Sequence, residues 1–86
     1  MHTEYIFRQA NERIRQAAEE HELDIPIPFI CECPNPGCSQ IILMPLDEYR
    51  AVRADPSRFI NKAGHESATV LARHDQYVVV DVPAYH

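Results

Sequence analysis

The stretch FICECPNPGCSQ, residues 29–40, carries all three cysteines of an 86-residue chain, and its reading decides the fold. In an extended chain alternate residues share a face, so Phe29, Cys31 and Cys33 project to one side and Ile30 and Glu32 to the other. Two thiols then lie side by side in a chelating arrangement. Pro-Asn-Pro-Gly must turn the chain, with Gly37 free to take a positive φ, and Cys38 leaves the turn directed back at the strand. SQIILMP follows as a second, antiparallel strand. The result is a cysteine hairpin over residues 29–45, similar to the knuckles and ribbons in which a turn wraps zinc. Three thiolates do not close a tetrahedron, so a fourth ligand is required.

Working outward, residues 3–21 read as an amphipathic helix. Phe7, Ala10, Ile14, Ala17 and His21 recur at three- and four-residue intervals, while Arg8, Glu12, Arg15, Glu19 and Glu20 cover most of the remaining surface. Pro26 and Pro28 end it by forcing extended backbone on their neighbours. After the hairpin, LDEYRAVRAD reads as a short helix with Leu46, Tyr49, Val52 and Arg53 on one side, stopped before Pro56. SRFINKAGHES reads as a loop with a brief extended piece at Phe59 and Ile60. ATVLARHDQYVVVDV reads as two strands turned at His74, Asp75 and Gln76. The expectation is one α+β domain, 1–86: an amphipathic helix over 1–24, the cysteine hairpin over 29–45, a short helix over 46–55, and a histidine loop with a C-terminal hairpin over 64–82. A long N-terminal helix thus meets a small antiparallel sheet of hairpins, and a metal site staples them.

Composition narrows the function classes. A formal charge of -5, from 13 acidic against 8 basic residues, repels a phosphate backbone, so nucleic acid is not the expected partner. Neither an export signal nor a run of 18 apolar residues is visible, so no membrane is expected and the cytoplasm is the default compartment. Thiols stay reduced there, and an odd cysteine count argues against a pure disulfide framework. No enzyme is expected. HESAT lacks the second histidine of H-E-x-x-H, and no phosphate loop, nucleophile elbow or Ser/His/Asp grouping is present.

Five histidines compete for the fourth ligand position. His2 lies at the start, His21 at a helix end, His74 in a hairpin turn and His86 at the last residue. His65 follows Gly64 in a tight loop between elements, where the backbone can bend to aim a side chain at a neighbouring site. The competing reading is a loop histidine facing water. For the cysteines the alternatives are small apolar core residues, a redox pair with Cys38 as resolving thiol, or an iron–sulfur cluster, which usually draws on more dispersed cysteines.

FICEC, a third cysteine after a short turn, LDEYRAVRADPSRF, AGHES and a closing YVVVDV, with NERIR in the first helix, resemble a group of small, largely actinobacterial proteins of uncharacterised function. The likeness spans residues 7–82. It implies a Cys-Glu-Cys, Cys, Gly-His-Glu signature on Cys31, Glu32, Cys33, Cys38, Gly64, His65 and Glu66, and so favours His65. It implies no activity. The chain departs from it at Pro45, where relatives tend to carry a helix-capping Ser or Thr, and in the tail after Val82. The expected ligand set is therefore Cys31, Cys33, Cys38 and His65, holding one structural Zn2+ per chain in a non-catalytic protein-interaction or regulatory adaptor. Glu12, Glu19, Glu20, Asp47 and Glu48 suggest a partner with basic patches. The alternative is a thiol-based redox or metal sensor using the same site.

Overall fold

The computed structural model describes residues 3–66 and 68–82. Helix α1 (Thr3–Glu20) is followed by strands β1 (Ile27–Ile30) and β2 (Ile41–Met44), helix α2 (Leu46–Arg53), and strands β3 (Arg58–Lys62), β4 (Thr69–Arg73) and β5 (Tyr77–Asp81). This is the expected α+β arrangement of a long first helix, a short second helix and antiparallel hairpins. The strands divide between two sheets, β1-β2 and β3-β5-β4. His2, His86 and the tail after Val82 lie outside the described residues.

Along α1 the buried line is Glu4, Asn11 and Ala18, spaced by seven residues and so by about two turns. The expected stripe is rotated from this: Ala17 and His21 are exposed, and Phe7, Ala10 and Ile14 are only half-buried. A polar side chain causes the rotation. Asn11 Nδ2 donates to the Ile30 carbonyl at 2.9 Å, and its Oδ1 accepts from Ile30 N–H at 2.8 Å, so the amide fills the outer edge of β1 as another strand would. Pro28, two residues earlier on that edge, has no N–H to leave unpaired. Arg8, expected on the solvent face, reaches across to donate to the Pro56 carbonyl and lies over the rings of Tyr5 and Phe59.

β1 and β2 pair antiparallel from Ile27 opposite Met44 to Ile30 opposite Ile41. Their inner face, Ile27, Phe29, Ile42 and Met44, is buried. Phe29 stacks on Tyr49 of α2 with ring centroids 4.1 Å apart, and full burial of such a side chain contributes about 1.5–3 kcal/mol. Helix α2 has Pro45 at its N-cap, without a side-chain cap; the Pro45 carbonyl accepts from the amides of Glu48 and Tyr49.

The largest departure from the sequence reading is β3. Arg58–Lys62, expected to be mostly loop, forms a five-residue strand paired along its whole length with β5. The reason is non-local: YVVVD supplies the ladder, and β5 lies between β3 and β4 with Tyr77 to Val80 all buried. A central strand covered on both faces reads as a continuous apolar run, whereas RFINK at its flank carries no such mark. β4, on the outer edge, is mostly exposed and carries a bulge between Val70 and Ala72.

Candidate metal centre

The Cys-Glu-Cys segment leaves β2 and crosses to β3. Cys31 N–H still donates to the Gln40 carbonyl at 3.0 Å, but Glu32 N–H donates to the Ile60 carbonyl at 2.7 Å. β1 therefore ends at Ile30 rather than continuing to Cys33. The alternation nevertheless holds across the crossing, with Glu32 turned opposite to the two thiols.

Glu32 is fully buried. Its carboxylate accepts from Asn11 Nδ2 at 2.8 Å, from Ile60 N–H at 3.0 Å and from the Arg53 guanidinium at 3.3 Å. Arg53 also donates to the Arg58 carbonyl at 2.8 Å, and its guanidinium lies over Tyr49 and Phe59. Burial pushes the Glu32 carboxyl above its ordinary value, and Arg53, Asn11 and the Ile60 amide oppose that rise. With Glu32 held inward, neighbouring Cys31 and Cys33 face the other way.

The outer edge of β3 organises the centre. Arg58 C=O takes Arg53, both backbone groups of Ile60 take Glu32, and Lys62 N–H donates to Cys31 Sγ at 3.2 Å. The Lys62 carbonyl accepts from His65 N–H at 2.8 Å, across a turn in which Gly64 takes φ +95°. One residue thus positions two of the candidate ligands through its own N–H and C=O.

On the other side, Asn35 rather than Gly37 makes the turn. Asn35 Oδ1 accepts from Gly37 N–H at 3.0 Å and its carbonyl from Cys38 N–H at 3.0 Å, an Asx turn that returns Cys38 to the site. Gly37 does not use the positive φ expected of it.

Cys31, Cys33, Cys38 and His65 come together, their ligand atoms all within 4.8 Å of one another. Cys38 Sγ lies 3.6 Å from His65 Nδ1. A tetrahedron with metal–sulfur bonds of about 2.3 Å and metal–nitrogen bonds of about 2.0 Å has edges of roughly 3.5–3.8 Å, so the spacing suits one ion. The cluster grades outward: Cys31 and Cys33 are buried, Cys38 is half-buried and His65 is exposed.

The electrostatics point the same way. Burial raises the Cys31 thiol to about 12 and raises Cys33 as well, against the opposing amides of Lys62 and Asn35. The other influences on this pair come from the neighbouring thiols, and no basic side chain is among them. Cys31 and Cys33 therefore lack a neighbouring positive charge that would make them thiolates. A divalent ion supplies it, because a coordinating thiol is deprotonated outright. The Cys3His group can hold a metal ion.

The other described histidines do not join: His21 is exposed beyond α1, and His74 stacks on Tyr77 with centroids 4.4 Å apart. Glu66 is engaged by Arg73 at 3.1 Å. Of the acidic residues expected to face a partner, Glu12 and Glu19 pair with Arg15, Glu19 also accepts from Arg50 at 2.8 Å, and Glu48 accepts from the Tyr77 hydroxyl at 2.8 Å. Glu20 and Asp47 remain exposed. No helix of the described residues is long and apolar enough to cross a membrane. Comparison of the chain with protein-family models, curated proteins and solved structures returns no match.

Proposed function

We propose that this chain is a small cytoplasmic zinc-binding module of the Cys-Glu-Cys, Gly-His-Glu kind that its sequence resembles, non-catalytic and acting as a protein-interaction or regulatory adaptor. Cys31, Cys33, Cys38 and His65 would hold one Zn2+ per chain. The observation that carries this reading is the closed set of four thiol and imidazole ligands, drawn from the 31–38 segment and from the loop after β3. Four such ligands suit a structural zinc, whereas a catalytic one keeps a position open for water. The ion would tie the β1–β2 hairpin to the edge of the three-stranded sheet. Zinc-finger peptides gain about 10–16 kcal/mol from such binding at neutral pH, as much as a whole small domain usually has in stability.

The test is elemental analysis of protein purified without added metal. Zinc at one per chain that falls sharply in His65→Ala is the expected result; iron with visible absorption, or no metal, would refute the proposal. One observation favours the sensor alternative: Cys38 and His65 form an accessible side of the cluster. Zinc retained against a strong chelator and indifferent to mild peroxide supports the adaptor. Loss under either treatment, with a reversible change of fold, supports the sensor.

A further inference from the structure

The β1–β2 hairpin is apolar on both faces. Ile27, Phe29, Ile42 and Met44 pack inward, while the outward set, Pro28 opposite Leu43 and Ile30 opposite Ile41, is equally free of polar side chains. Strands of this composition normally lie between two covering layers, yet here only one is present. Leu43 is 53 % exposed and Ile41 43 %. At the Pro26 and Pro45 end of the hairpin lies a groove of about 410 Å3 lined by Leu23, Ile25 and Leu46 together with Asp24, Asp47 and Arg50. Leu43 itself lines a neighbouring groove with Arg73, His74 and Tyr77. Ile25 is 61 % exposed, the most of any large apolar side chain among the described residues.

Charge identifies the occupant. Asp24 and Asp47 stand at the groove, with Glu20 and Glu22 exposed nearby in the same turn of chain. Among the described residues, no ionic partner reaches any of these four. Arg50, the one cation lining the groove, is engaged by Glu19. A second copy of a chain with net charge -5 would bring like charge against like. Unpaired Asp24 and Asp47 beside exposed Leu23 and Ile25 instead complement a helix with apolar residues at i, i+3/i+4 and i+7 and Lys or Arg beside them.

We infer that the outer face of the β1–β2 hairpin, with the groove at its Pro26 and Pro45 end, docks a basic amphipathic helical segment of a partner protein. This rests on the reading of the chain as an interaction module. The test uses zinc-loaded protein and two fluorescent model helices of identical apolar pattern, one Leu/Lys and one Leu/Glu, with binding read by anisotropy at low and high salt. The Leu/Lys helix is expected to bind and the Leu/Glu helix not. Ile25→Ser combined with Leu43→Ser should weaken binding about ten-fold or more at unchanged circular dichroism, as expected for loss of apolar anchors. Asp24→Asn combined with Asp47→Asn should weaken it about three-fold and flatten the salt dependence.

Binding unchanged by the serine pair, equal binding of the Leu/Glu helix, or a micromolar dimer dissolved by Leu43→Ser would each overturn the inference. Zinc measured on the same samples separates the two readings. Full zinc with binding indifferent to the serine pair removes this surface and leaves the staple standing. Peptide binding that needs Ile25 and Leu43 in a chain without zinc keeps the surface and removes the staple.

Discussion

The junction between residues 31–38 and the β3–Gly64 edge, and the sheet β3-β5-β4 beside it, hold the chain by different means. The sheet relies on its strand ladders and on apolar cover: β5 is buried from Tyr77 to Val80, with Phe59, Val78, Val80 and Val82 forming one cluster and Val79 and Tyr77 joining the other. The junction relies on three convergent thiols, an imidazole and a buried carboxylate. Apolar contacts are individually small and tolerant of exchange, whereas a buried polar group left without its partner costs its whole desolvation. The junction should therefore be the brittle half of the molecule and the sheet the forgiving half.

Metal removal is the most severe way to break that contrast. Stripping the proposed metal with a chelator, or substituting Cys33→Ser, should abolish cooperative unfolding and lower helix and sheet signal together in circular dichroism. The reason is that Cys31 and Glu32 also close the outer edge of β3. A variant that lost metal but melted like the parent would show that the junction contributes little.

Next in size is Glu32→Ala, which leaves Arg53, the Ile60 amide and Asn11 Nδ2 buried without their acceptor. A loss of about 3–5 kcal/mol is expected from breaking a buried pair of this kind. Glu32→Gln keeps the shape, can still accept from Ile60, and should lose less. Denaturant melts with zinc assayed in parallel would check both, and metal content should fall with stability if Glu32 positions Cys31 and Cys33. On the sheet side, Ile60→Val should cost only about 0.5–1.5 kcal/mol with zinc retained.

A milder test is Tyr77→Phe, which removes the hydroxyl bond to Glu48 and should cost about 1 kcal/mol at neutral pH. Burial, followed by the Glu48 carboxylate, raises the Tyr77 phenol above its ordinary value. The folded chain therefore holds that proton more tightly than the unfolded one. The contribution is present below the ordinary tyrosine range and is lost as pH rises through it. Melts in buffers from neutral to above the ordinary tyrosine range, about pH 10, should show the gap between parent and Tyr77→Phe narrowing only above that range. The smallest effect belongs to Arg50→Ala, whose half-exposed pair with Glu19 should be worth under about 1 kcal/mol and weaken further in salt.

The four candidate ligands, which the structure brings together, were legible because coordination chemistry leaves a compact trace. Cys31 and Cys33 share a face through the two-residue period of extended chain, Cys38 follows a turn, and His65 sits by the one glycine that takes a positive φ. The residues that support the ligands left no such trace. Asn11 and Glu32 are polar where local patterns put apolar side chains, and with Asn11 buried the stripe of α1 was read rotated from its true buried line. Arg53 was placed on the packed side of α2, but its acceptors, Glu32 and the Arg58 carbonyl, lie on other segments.

What the sequence determined by itself is whatever period and spacing encode: an α+β chain with two helices, a cysteine hairpin, a C-terminal hairpin and four candidate ligands in order. Only the tertiary structure decided that β3 is a full strand and that Glu32 faces a buried polar network. It also decided that Lys62, at the outer edge of β3, carries the Cys31 sulfur on its amide. The physical reason is common to all three. Strand partners and buried hydrogen-bond acceptors come from residues distant along the chain, and pairing satisfied at a distance has no local period to read.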